Sequence, residues 1–167
     1  MSRLVQALAC ALCLAIGAAA AEGGPAGIPS VIDGDTLELH GQRIRLWGID
    51  APESRQICRR GGEPWRCGQA AALALADRIG RRPVACEVLD KDRWGRLVAL
   101  CRQGGEDLSA WMVRGGLALA FRRYAEDYAP AEDDARYARR GLWSGAFAPP
   151  WAWRRDRNAA MVTAEIR

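Results

Sequence analysis

The side chains able to do chemistry fall in two stretches. The first runs from Asp33-Gly34-Asp35-Thr36 to Arg43-Ile44-Arg45-Leu46-Trp47-Gly48-Ile49-Asp50-Ala51-Pro52-Glu53, and the second is Asp92-Arg93-Trp94-Gly95-Arg96. If the chain folds back about Gly41, residue 35 lies opposite residue 47. Asp50 then comes near Asp33–Asp35, with Arg45 on the face that carries Asp35. Two carboxylates converging at a strand end suit a hard cation such as calcium, which takes several oxygen ligands. Glu53 follows across the stiff Ala51-Pro52 corner, where a held carboxylate can take a proton from water. Arg45 and Arg96 can stabilise charge that builds on phosphate oxygens. Cation, base and two arginines together are the parts for hydrolysing a phosphodiester. Each part also has a plain structural reading. Asp-Gly is a common turn, and a lone strand arginine usually pairs at the surface. Only the set points to chemistry.

The elements that must position these groups can be read from periodicity. Val31–His40 and Arg43–Ile49 alternate on either side of Gly41-Gln42, which predicts a β-hairpin. Asp50–Gly68 reads as a long polar loop. Gln69–Ile79 is alanine-rich and helical, stopped by Gly80 and Pro83. Residues 83–90 and 96–102 form a second predicted hairpin about the turn at Lys91–Gly95. Asp107–Arg114 carries a helical stripe of Leu108, Trp111 and Met112. Leu117–Phe121 reads as a short extended piece, and Ala131–Arg140 as a last helix with acids first and arginines last. This order predicts an α+β fold, a five-stranded OB-fold β-barrel capped by three α-helices. Trp47, Trp111 and Trp143 are expected in its core.

Of the 167 residues, Met1–Ala21 has the three parts of a secretory signal peptide: Arg3, an apolar run from Leu4 to Ile16, and an alanine-rich end. Cleavage after Ala20 or Ala21 leaves about 146 residues, enough for one core. The run is too short to span a bilayer. The sequence therefore predicts a cleaved signal at 1–21, a domain at 22–153 and a loosely ordered tail at 154–167. It predicts a periplasmic or secreted protein, a monomer with no membrane attachment after cleavage. Of 24 basic residues only Lys91 is lysine, and the net charge of +4 permits a polyanion as partner without requiring one.

Cys10 and Cys13 leave with the signal. The remaining four, Cys58, Cys67, Cys86 and Cys101, read as two disulfides in an exported domain. Cys86 and Cys101 stand equidistant from the Lys91–Gly95 turn, which pairs them across the hairpin and leaves Cys58 with Cys67. A zinc site is the rival reading, but no Cys-x-x-Cys pair survives cleavage and His40 is the only histidine.

The two charged stretches, with Met112-Val113-Arg114-Gly115-Gly116-Leu117-Ala118 and Arg140-Gly141-Leu142-Trp143, resemble the staphylococcal nuclease (thermonuclease) family. The resemblance covers about Val31 to Trp153. It implies that Asp35 and Asp50 are calcium carboxylates and that Ala51 gives its backbone carbonyl to the same ion. It further implies that Glu53 is the general base and that Arg45 and Arg96 bind phosphate. The implied activity is calcium-dependent cleavage of DNA and RNA with little sequence preference, giving a 5′-hydroxyl and a 3′-phosphate. Trp94 stands where the family archetype has a tyrosine near the bound nucleotide, and Tyr124 falls near another such position, so both are candidate substrate-binding residues. The Cys58–Cys67 loop, with Arg59, Arg60, Trp65 and Arg66, departs from the archetype. It is expected to stiffen the rim and hold its basic residues over the cleft. The alternative is a non-catalytic OB-fold that binds single strands by arginine and stacking contacts. Such a binder would be expected to have lost some of the five charged groups, and none is missing.

Overall fold

The computed structural model describes residues 24–165, with side chains through Arg157. The expected signal segment, 1–21, lies outside the described residues. The described chain opens with β1 (Ala26–Gly27), β2 (Ser30–Asp33), β3 (Thr36–Leu39), β4 (Gln42–Leu46) and β5 (Ile49–Asp50). Next come β6 (Cys58–Arg60), β7 (Glu63–Trp65), α1 (Cys67–Ile79), β8 (Val84–Lys91) and β9 (Leu97–Gln103). The last third holds β10 (Glu106–Asp107), α2 (Leu108–Arg114), β11 (Leu119–Ala120), α3 (Ala129–Tyr137), a 3-10 turn (Gly141–Ser144), β12 (Gly145–Ala146) and α4 (Pro150–Glu165).

The main sheet runs β1-β8-β9-β4-β3-β2. β1 and β2 are consecutive in the chain, so one bent N-terminal segment pairs with both edges and closes the barrel. Closure removes the edges that an open sheet would expose. The OB-fold architecture expected from the element order is present, with α1 between the third and fourth principal strands.

Four details differ from the sequence expectation. Val31–His40 is not one strand: it turns at Asp33-Gly34-Asp35, where the Asp35 N–H donates to Asp33 Oδ1 at 3.0 Å. That Asx turn costs little in sequence terms because aspartate mimics the next backbone carbonyl. Gly34 is required there, since a Cβ would fall 2.7 Å from the Cβ of Ala51. The hairpin register is also one residue shorter than a fold about Gly41 gives. His40 and Gly41 both take positive φ, 53° and 79°, which makes a two-residue turn pairing Leu39 with Gln42 and Thr36 with Arg45. Asp35 thus faces Leu46, whose N–H donates to its carbonyl at 2.8 Å.

The third difference lies in Asp50–Gly68, which contains a hairpin, β6–β7, beside β12. The fourth is at the C-terminus. The stretch expected to be a loose tail continues the helix that starts at Pro150, so four helices flank the barrel where three were expected.

The main core fills the barrel and the space under α1 and α2, with Leu37, Leu39, Ile44, Leu46, Leu75, Ile79, Leu108 and Met112. Ala71, Leu75 and Ile79 form the buried stripe of α1. Asp107 caps α2 by accepting from the Ser109 and Ala110 N–H groups, and the Tyr128 hydroxyl donates to the same carboxylate at 2.9 Å. Cys86 and Cys101 are paired strand partners, joined in a disulfide inside this core. The Cys58–Cys67 disulfide belongs to a second, smaller core with Leu119, Leu142 and half-buried Trp65, Trp143 and Phe147. Trp47 and Trp111 are half-buried against the main core.

Candidate active site

Two pieces of the barrel wall and the short β5–β11 ladder converge at one end. Asp35 precedes β3, Arg45 lies on β4, and Asp50 ends β5, where it pairs with Leu119 of β11. Arg45 spans both carboxylates, with Nη1 at 3.0 Å from Asp35 Oδ1 and Nη2 at 2.9 Å from Asp50 Oδ1. Its Nη2 also reaches the Ile49 carbonyl at 3.3 Å. Asp35 Oδ1 accepts in addition from the Thr36 hydroxyl at 3.0 Å, and Oδ2 accepts from the Ala51 N–H at 2.9 Å.

Asp50 is fully buried and Asp35 only 4% exposed. Burial pushes the Asp35 carboxyl up to about 7, against the pull of Arg45, and the charges of Asp33 and Asp50 push the same way. Arg45 is held above its ordinary value: burial disfavours its charge, but Asp35 and Asp50 outweigh that. Burial therefore works against the charge of Asp35, and a cation beside it works for that charge.

Glu53 sits at the rim with its side chain about one-third exposed, at 34%. Its backbone is fixed from two sides. The Gln56 Oε1 accepts from the Glu53 N–H at 3.3 Å, and the Gln56 N–H donates to the Glu53 carbonyl at 2.7 Å. Gln56 is buried and its Nε2 donates to the Ala148 carbonyl at 2.7 Å, tying the corner to the C-terminal segment. Gly68 presses against the other side, where a Cβ would fall 1.7 Å from the Glu53 carbonyl oxygen.

A third arginine was not foreseen. Arg154 of α4 donates through Nη1 to Asp50 Oδ1 at 3.0 Å and Glu53 Oε1 at 2.7 Å, and through Nη2 to Asp50 Oδ2 at 2.7 Å. Its guanidinium is held above its ordinary value because these two carboxylates outweigh the cost of burial. In sequence it stands beside Arg155 and near Arg157, and nothing sets it apart from them.

Arg96 and Trp94 lie at the tip of the β8–β9 hairpin, apart from this cluster. Arg96 immediately precedes β9, which runs parallel to β4 and pairs Val98 with Arg45. Its Nε donates to Asp92 Oδ2 at 2.7 Å, so the guanidinium is turned along its own hairpin. Trp94 is 67% exposed, with Arg93 stacked at 4.2 Å. Tyr124, also exposed, lies 5.1 Å from the ring of Phe121, which in turn is 5.8 Å from Trp151 of α4. Two of the three arginines of the disulfide loop are held within the loop and its neighbour rather than over the cleft. Arg59 donates to Gly62, while Arg60 lies over Trp65 and donates to Ser144.

The donor set fits a hard divalent cation. Arg45 bridges Asp35 and Asp50 with one planar fork, so their oxygens converge within the width of a guanidinium, and both are anionic oxygen donors. Ala51 follows Asp50 directly and is itself tied to Asp35. The described residues hold no cluster of three or more His, Cys, Asp and Glu, so further coordination would come from the backbone and water.

A family model described as staphylococcal nuclease homologue matches residues 43–145, from β4 to β12. The chain belongs to the staphylococcal nuclease family. Among similar proteins, a succinoglycan biosynthesis protein of Rhizobium meliloti (strain 1021) is 39% identical over 149 residues, 85% of this chain and 76% of the relative. A micrococcal nuclease of Shigella flexneri is 36% identical over 149 residues, 77% of this chain and 80% of the relative. An uncharacterised endonuclease of Escherichia coli O157:H7 is 34% identical over 132 residues, covering 74% and 80%. This member of the nuclease family is a phosphodiesterase of the endonuclease kind, with nucleic acid as its substrate. Its two disulfides are compatible with a secreted protein, and among the described residues no helix is long and apolar enough to cross a membrane.

Proposed function

We propose that this nuclease is calcium-dependent and cleaves DNA and RNA with little sequence preference, leaving 3′-phosphate and 5′-hydroxyl ends. The observation that carries this reading is the bridge of Arg45 between two buried carboxylates, with Glu53 fixed at the rim beside them. Asp35, Asp50 and the Ala51 carbonyl hold the cation. Bound calcium supplies a Lewis acid that polarises the phosphate. Glu53 takes the proton of the attacking water, whose oxygen forms the new bond to phosphorus while the bond to the 5′ oxygen breaks. The 5′ oxygen takes a proton from solvent water and leaves as the hydroxyl, and Glu53 returns its proton to solvent. Arg45 and Arg96 stabilise the charge that grows on the phosphate oxygens, and Arg96 must turn from Asp92 to do so. Trp94 and Tyr124 offer exposed ring faces to the bases.

The active form begins after Ala20 or Ala21, is exported to the periplasm or beyond, and works as a monomer free of the membrane. The deciding experiment is digestion of single-stranded DNA by purified mature protein with calcium, with magnesium and with chelator. Cleavage confined to calcium, with 3′-phosphate ends, is the expected result. Cleavage that survives chelation would overturn the cation's part, and binding without cleavage in any metal would overturn the catalytic assignments.

A further inference from the structure

Arg154 and a divalent cation want the same oxygens. Asp50 Oδ1 already accepts from Arg45 at 2.9 Å and from Arg154 at 3.0 Å, and Oδ2 accepts from Arg154 at 2.7 Å. Glu53 Oε1 accepts from Arg154 at 2.7 Å. One guanidinium therefore sits on a carboxylate assigned to the cation and on the carboxylate assigned as base. A cation on Asp50 would face that guanidinium across a side chain that is 0% exposed, where like charges repel strongly. A Glu53 whose Oε1 is already engaged by Arg154 is also less free to meet the attacking water.

We propose that Arg154 is a displaceable counter-charge of the active site, so that binding of the divalent cation at Asp50 releases Arg154 and loosens α4. The inference rests on the calcium reading above and adds the residue that opposes the cation. α4 is held at its start by buried Pro150, with Ala152 and Trp153 half-buried, and beyond that turn its described hydrogen bonds to the barrel are the three of Arg154, with Trp151 against Phe121 one turn earlier. Arg155, Asp156 and Arg157 are exposed. The guanidinium thus balances Asp50 and Glu53 when no cation does, and the family match ends at residue 145, before α4 begins. The C-terminal helix is therefore a feature of this chain that the matched core does not include.

The test is calcium titration by calorimetry on the mature protein and on Arg154→Gln, Trp151→Ala and Arg155→Gln, with thermal melts to establish that each is folded. Arg154→Gln should bind calcium at least about fivefold more tightly, the lower end of ordinary site-to-site coupling. Trp151→Ala, which weakens docking of α4 without touching a carboxylate, should tighten binding by a smaller factor. Arg155→Gln should leave it unchanged. In the unaltered protein, calcium should speed hydrogen exchange within 150–157. Equal calcium affinity in the unaltered protein and Arg154→Gln overturns the proposal while leaving the calcium reading intact. Equal tightening by Arg155→Gln also overturns it, since bulk charge would then explain the effect. Unchanged exchange overturns the coupling to α4. If no form binds calcium, the calcium reading itself falls and this inference with it.

Discussion

Arg45 and Arg96 are almost equally exposed, at 20% and 22% of the side chain, yet they are held in opposite ways. Arg45 stands in the barrel wall and is braced by Asp35 before β3 and by the Asp50 carboxylate and Ile49 carbonyl of β5, two separate places around one barrel end. Arg96 stands at a hairpin tip and is held by Asp92, four residues earlier in the same turn. Burial alone would raise Asp92, but hydrogen bonds from the Arg96 side chain and from the Arg96 and Trp94 backbones win, and its carboxyl lies below the usual range. One arginine is locked into a floor fixed by the fold. The other rests on a local contact that it can leave when a phosphate arrives. In the proposed mechanism the two divide the work: Arg45 is a preorganised floor for charge and Arg96 an arm that closes on the substrate.

The comparison can be broken most decisively through Glu53, which is held by Gln56 and Arg154 and by neither of these arginines. Glu53→Gln should lower turnover by about 10³-fold while the fold survives, since general-base removal is of that order and the residue is partly exposed. Steady-state cleavage and a thermal melt decide it. Full activity in a folded variant would sink the assignment of the base. The two arginines then separate. Arg96→Ala should cut turnover by about 10²-fold with stability changed by less than about 1 kcal/mol, because its ion pair with Asp92 is a local rim contact. Arg45→Ala should cost a similar factor in turnover and also about 3 kcal/mol of stability, because it strands buried Asp35 and leaves Asp50 to Arg154 alone. Equal melts for the two variants would erase the distinction between floor and arm.

The second core offers a smaller but cleaner perturbation. Replacing Cys58 and Cys67 together by serine should cost about 2–3 kcal/mol by chain-entropy reasoning for a loop of this length. Activity below the melting temperature should change little, since Arg59 and Arg60 of that loop are spent on Gly62 and on Ser144. A large loss of cleavage at a temperature where the variant is folded would show that the loop acts on the substrate after all. Cys86→Ser with Cys101→Ser should destabilise by a similar amount through the main core instead.

The same contrast explains what the sequence made legible. Asp35, Arg45 and Asp50 lie within sixteen residues around one hairpin, and their convergence survives a register one residue off because Asp35 sits in the turn before β3, where strand alternation does not fix its side. The error itself came from a turn centred between His40 and Gly41, which places positive φ on a histidine as well as a glycine. The barrel was legible because its strands and α1 carry distinct periods. The β6–β7 hairpin was not, because Arg59, Arg60, Glu63 and Pro64 show no alternation, and the pairing is held by a glycine turn and a neighbouring disulfide. Arg154 was hidden for another reason. It meets Asp50 across 104 positions, and nothing local separates it from Arg155. That helix is amphiphilic enough to form but too arginine-rich to show which cation points inward.

The finest test of the mobile arm is Trp94. Its ring is exposed and flanked by Arg93 at 4.2 Å and Arg96 at 5.3 Å, so the tip presents one aromatic face between two cations. A base from an unpaired strand can stack on such a face, whereas a base inside a duplex is already stacked on its neighbours. Base–aromatic stacking is worth about 1–3 kcal/mol, and an exposed tryptophan that must also give up its arginine neighbours belongs at the lower end. Trp94→Ala should therefore raise KM for single-stranded DNA about fivefold, with kcat nearly unchanged and KM for duplex DNA moved much less. If kcat falls instead, Trp94 works by positioning Arg96 rather than by holding a base. The tip would then be as much a part of the fixed machinery as the barrel floor.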